Sequence, residues 1–239
     1  MLSSADHDWL KTFHTFSFAS YYDPKYESFG NLRVINEDRV EPTTGFGTHG
    51  KPSRYSHSWC FCLHAYESLG HREMEIFSYI VSGELEHKDS MGNLEILKRG
   101  DIQLTSAGTG IRHSEYNRNA KEVVHFLQIW AQPSVNGLTP KYFTRHFTDE
   151  EKKDTLVTVV APIGAEGVTE TREGSGPTPV QSPVTLKATI LSPGKTVEHT
   201  FTGAERKGYV HVIQTSGYNT LAAKGNREYN PRRHDTAGD

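Results

Sequence analysis

The stretch SAGTGIRHSEYN, residues 106–117, decides how the rest of the chain is read. Gly108 and Gly110 make a tight turn, and a short extended run follows. In that run His113 and Glu115 stand two residues apart. Side chains two apart on a strand point to the same face. An imidazole and a carboxylate side by side on one strand face can hold a divalent metal. The pair alone also fits a surface histidine beside a surface glutamate, so its meaning depends on whether other ligands converge on it.

Outward from this stretch the chain is a succession of short β-type runs. Before it, residues 102–105 lead in from the turn at Arg99, Gly100 and Asp101. After it, residues 123–131 (VVHFLQIWA) are the most apolar strand in the chain. Residues 74–81 (MEIFSYIV), 84–88 and 94–97 read as strands, with a turn composition at residues 89–93 (DSMGN). Residues 32–40 (LRVINEDRV) read as a strand with a polar end, and residues 9–20 are rich in phenylalanine and β in composition. Short strands separated by Gly, Asp and Asn turns predict an all-β sandwich or barrel. In the second half, residues 148–154 predict one polar helical turn with Thr148 as its N-cap. Residues 156–161, 186–191 and 209–214 are further predicted strands, and residues 163–183 an exposed loop.

Composition narrows the function. The 239 residues carry 26 basic and 29 acidic side chains, a formal charge of -3. That balance does not suit a generic nucleic-acid binder. The mean hydropathy is -0.61, and no apolar run approaches the roughly 20 residues of a membrane span. The first residues lack the basic and apolar regions of a signal peptide, so an intracellular protein, cytoplasmic or nuclear, is expected. Cys60 and Cys62 are too close together to staple the fold and read as free thiols.

Several segments together resemble the pirin family of the cupin superfamily. They are GFGTH ending at His49, HREMEI from His71, EHKDSMGN from Glu86, SAGTGIRHSE ending at Glu115, and LQIW from Leu127. The stretch from Trp9 to Val40 is similar too. The resemblance implies an all-β bicupin, two double-stranded β-helix barrels with one metal in the first. It divides the chain into a first barrel over residues 6–133, a shortened second barrel over 134–217 and a disordered tail over 218–239. It implies four metal ligands, His49, His71, His113 and Glu115. Three imidazoles and one carboxylate suit Fe, Mn, Ni, Cu or Zn and leave two positions open in octahedral geometry. Iron is the expected metal. His87 and His125 either orient ligands or are satisfied polar groups of the barrel.

The same resemblance implies two functions. One is a quercetin-type flavonol dioxygenase, with a small aromatic substrate at the metal and Glu115 as the catalytic base for a substrate hydroxyl. The other is a non-enzymatic nuclear transcription cofactor or redox-sensing regulator, acting through contacts with transcription-factor proteins rather than with nucleic acid or membrane.

The chain departs from the family pattern in two places. One residue separates the first two histidines in the family, whereas residues 50–70 separate His49 from His71 here. His57 and His64 within that insertion offer further imidazoles that could compete for the metal, though nothing in the sequence positions them. Gly50 and Lys51 can be encoded by a splice-donor sequence, and Leu69 and Gly70 across an acceptor. Removing the residues between them restores the family spacing, so the insertion reads as a translated intron. The second departure is the polar stretch after Gly217, which replaces the family's remaining strands.

Overall fold

Short strands fill the first half of the chain, some with alternating burial and some buried on both faces. The computed structural model describes residues 3–18, 21–50, 74–203 and 205–214. In chain order the strands are β1 Ser3–His7, β2 Leu10–His14, β3 Leu32–Val40, β4 Gly45–Gly50, β5 Glu75–Ser82, β6 Leu85–Asp89, β7 Leu94–Leu97, β8 Asp101–Ser106, β9 Arg112–Tyr116, β10 Val124–Ala131 and β11 Lys141–His146. After the single helical turn α1, Asp149–Lys152, come β12 Val157–Pro162, β13 Thr178–Val180 and β14 Leu186–Ala188. The fold is all-β, as expected.

Two sheets build the barrel. The larger runs β1-β2-β3-β10-β5-β8-β11 and the smaller β4-β9-β6-β7. A third sheet, β13-β12-β14, belongs to the second half. β3, β5 and β10 are buried on both faces of the large sheet; β5 and β10 accordingly read as near-continuous apolar runs, whereas β3 buries Arg33, Asn36, Glu37 and Asp38 among its apolar residues. Their outward face carries Ile35, Phe77, Tyr79, Leu127 and Ile129, which pack in one cluster with Val159, Val160 and Val180 from the second half. Their inward face looks toward the small sheet.

That inward face is layered. Leu10, Val40, Ile80, Val124 and Phe126 meet Leu85 and Leu97 of the small sheet in one apolar layer. Phe18, Val34, Met74 and Trp130 form a second. Between the layers the register brings polar residues of neighbouring strands level with one another. His14 pairs with Asn36, Asn36 with Gln128, Gln128 with Ser78 and Ser78 with Gln103. A polar row thus crosses the large sheet between two apolar layers.

The helical turn forms where expected. Thr148 Oγ1 accepts from the Glu151 amide, and the Glu151 carboxylate accepts from the Thr148 amide, a reciprocal capping box. Two local expectations change. Residues 163–183 are not wholly an exposed loop, because Thr178, Pro179 and Val180 are buried in β13, parallel to β12. Residues 209–214 are not assigned to any strand among the described residues. The insertion at residues 51–70 and the tail at 218–239 lie outside the described residues.

Candidate metal centre

Glycines position the strand at the centre. Gly108 has φ +44°, and a Cβ there would collide with the Leu138 carbonyl oxygen. The tight turn it makes delivers β9 with alternating burial: Arg112 is exposed, while His113 and Glu115 are buried. β4 approaches from one side, pairing Phe46 with Glu115 and His49 with His113. Gly45 at its start has no alternative, since any Cβ would overlap the Glu115 carbonyl oxygen. β6 pairs on the other side, setting His87 opposite Glu115 and Asp89 opposite His113.

The polar row converges on Glu115. Its Oε1 accepts from Ser78 Oγ at 2.5 Å and from Gln103 Nε2 at 3.4 Å, and its Oε2 accepts from Gln128 Nε2 at 2.9 Å. Gln103 Nε2 also donates to Ser78 Oγ at 3.1 Å, and Thr105 Oγ1 donates to Gln103 Oε1 at 3.1 Å. All three donors to the carboxylate are neutral, so they orient it without cancelling its charge. His113 meets the ring of His87 edge-on, with 5.6 Å between centroids. His87 is completely buried, stacks on Tyr142 at 4.8 Å, and sets Nε2 3.4 Å from Asp89 Oδ2.

Two further groups in the interior are electrostatically displaced. Burial, with a smaller push from His7, lowers His14 to about 4, so its imidazole is neutral at physiological pH. Burial raises the Asp38 carboxyl to about 7. A hydrogen bond from Thr12 opposes that rise, and the charges of Glu115 and Glu37 add to it. Asp38 is 4% exposed and sits at the level of Phe126, its partner in the ladder.

Of the four expected ligands, His113 and Glu115 stand together on the inward face of β9. The backbone of His49 lies across the ladder from His113. The side chain of His49 and the whole of His71 lie outside what is described. Among the described residues no group of three or more His, Cys, Asp or Glu side chains is arranged to hold a metal. His87 is at the centre, whereas His125 is on the opposite face of the large sheet, with Nε2 2.8 Å from Glu37 Oε1. Ser78, Gln103 and Gln128 were not identified from the sequence. Their local signal is weak: Gln128 is the lone polar residue on the inward face of VHFLQIWA, but Ser78 shares its face of EIFSYIVS with Ser82, and Gln103 shares its face of DIQLTS with Thr105.

A family model described as Pirin matches residues 62–131. The quercetin 2,3-dioxygenase of Escherichia coli K12 is 44% identical over 161 residues, 67% of this chain and 61% of that protein. A pirin-like protein of Caulobacter vibrioides is 33% identical over 228 residues, 94% of this chain and 85% of that protein. The crystal structure of the bacterial pirin YhhW from Escherichia coli in complex with nickel(II) matches with a TM-score of 0.57 at 41% identity, covering 71% of this chain and 63% of that one. The chain spans 61% of the length of the first curated relatives it matches.

Proposed function

This chain belongs to the pirin family, and from that premise we propose that it holds one divalent transition metal and oxygenates a flavonol in the manner of a quercetin 2,3-dioxygenase. The proposed ligands are His49, His71, His113 and Glu115, and the proposed metal is iron. The metal lies in a first barrel over residues 6–133, ahead of a partial second barrel over 134–217 and a tail over 218–239. One observation carries the reading: His113 and Glu115 share a buried inward face, with the His49 backbone directly across the ladder. The donor types fit, because an oriented carboxylate beside imidazoles is a ligand set for a first-row divalent ion.

When bound, such a metal supplies Lewis-acid and oxygen chemistry at the positions its protein ligands leave open. The chain's own residues do the rest. Ser78, Gln103 and Gln128 hold the Glu115 carboxylate in one orientation. Glu115 is the proposed base for the proton of a substrate hydroxyl. The apolar layers on either side of the polar row keep bulk water from the reacting groups.

The test is oxygen uptake. The purified chain, reconstituted separately with Fe(II), Ni(II), Mn(II), Cu(II) and Zn(II), should consume oxygen in proportion to quercetin lost, most rapidly with iron. Retained metal with no quercetin-dependent uptake overturns the oxygenase reading and favours a regulator acting through protein contacts.

A further inference from the structure

Three oxygen atoms in the barrel interior have no hydrogen-bond partner among the described residues, although all are buried: Asn36 Oδ1, Asp38 Oδ1 and Gln128 Oε1. They belong to one patch. Asn36 and Asp38 are alternate residues of β3 on its inward face, and Gln128 is the ladder partner of Asn36 on β10. Asn36 is 2% exposed and Asp38 4%. Gln128 is only half-buried, although its neighbours along β10 are buried, so the interior opens at this level.

The orientation of Gln128 is fixed by chemistry. A carboxylate oxygen accepts, so the Gln128 amide must turn its NH2 toward Glu115 Oε2, which points its carbonyl oxygen away from Glu115. A buried acceptor left unmatched is destabilising, and native folds keep few of them. Apolar side chains at these positions would simply extend the layers above and below. Asn36 Oδ1 and Gln128 Oε1, ladder partners in the polar row, and Asp38 Oδ1, one step along β3 and an acceptor in its ionised form, are therefore a feature to be matched from outside the chain. What matches them must donate, and the apolar layers on either side suit a carbon skeleton.

We propose that Asn36, Asp38 and Gln128 form the recognition face of this site, accepting hydrogen bonds from the O–H groups of a polyhydroxylated aromatic ligand. The face selects for hydroxyl groups, because a ligand without them leaves the three oxygens unmatched. The inference rests on the oxygenase reading for its choice of probe.

The experiment measures dissociation constants on the full chain by quenching of tryptophan fluorescence, with quercetin and with flavone, which has no hydroxyl groups. The intact protein should bind quercetin at least about tenfold more tightly than flavone. Asn36→Leu should weaken quercetin about tenfold and leave flavone within about twofold. Metal content should stay unchanged, since Asn36 is neither a proposed ligand nor one of the donors that hold Glu115. Asn36→Asp keeps an acceptor and should stay within about threefold of the intact protein. Asn36→Ala removes the acceptor without adding bulk, and should show the same selective loss of quercetin if leucine disturbs folding. Equal shifts for quercetin and flavone, no shift for either, or no quercetin binding by the intact chain would overturn the recognition face. Tight, hydroxyl-selective binding without oxygen uptake would support the face while removing the oxygenase reading.

Discussion

A carboxylate inside a barrel is useful only if its direction is fixed, and Glu115 is fixed from the opposite sheet. Ser78 is the nearest of its donors, 2.5 Å from Oε1, and is completely buried. Ser78→Ala leaves β5 free to pair but removes that donor, and Gln103 then loses an acceptor as well. Loss of a group that orients a ligand weakens metal binding by about 10–100-fold. Competition with a metal indicator should therefore show at least about tenfold weaker metal binding for Ser78→Ala, with the thermal midpoint lowered only modestly. His113 and Glu115 were legible because a two-residue spacing on a strand settles their relation locally. Ser78, Gln103, Gln128, Asn36 and Asp38 were not, because they come from four separated segments and only strand register brings them level. Register depends on pairing across the whole sheet, which no local pattern states.

Among the elements, β3 carries two different charged environments on its two faces. Asp38 faces inward, while Glu37 faces outward toward the second half. Burial pushes the Glu37 carboxyl up, but hydrogen bonds from His125 and His211, the charge of His125 and the Gln214 amide outweigh it and hold the group at about 2. The ordinary value of 4.5 applies to the unfolded chain. A folded value below the unfolded one means stability that is fully present above pH 4.5 and lost as pH falls toward about 2. Urea denaturation should show the intact protein losing stability across that window, and Glu37→Gln should start less stable at pH 6 with a flatter decline. An unchanged slope in the variant would remove Glu37 from the account. The expected strands over residues 32–40, 74–81, 102–105 and 123–131 correspond to β3, β5, β8 and β10 within a residue or two, because alternation or long apolar runs mark them. β13 was missed because it contains Pro179 and pairs in parallel with β12, a partner well separated from it along the chain. Residues 209–214 show why pattern alone is insufficient: Tyr209 and Ile213 pack on the core while Val210 and Val212 are exposed, as a strand would have it. A strand also needs a ladder, and residues 209–214 are assigned to none among the described residues.

At the scale of the molecule, the two halves share one core. Phe77, Ile129 and Phe143 pack with Val159, Val160 and Val180. The barrel face that carries the proposed metal is the opposite one, so the first sheet separates the site from the second half. The insertion separates His49 from His71 along the chain. Its removal restores the one-residue spacing between those histidines without touching His113 or Glu115. Deleting residues 51–70 should raise metal affinity, measured as metal retained after dialysis. Equal and full occupancy of the intact and deleted proteins would show that the insertion leaves the site undisturbed.

Metal stoichiometry by elemental analysis, after reconstitution with Fe(II) or Ni(II) and exhaustive dialysis, tests the central claim most directly. The chain lacking residues 51–70 should retain one metal ion per molecule, and His113→Ala in the same background should retain none while keeping its β-sheet circular dichroism. Retention of one equivalent by the folded His113→Ala protein would contradict the assignment of the centre to β9.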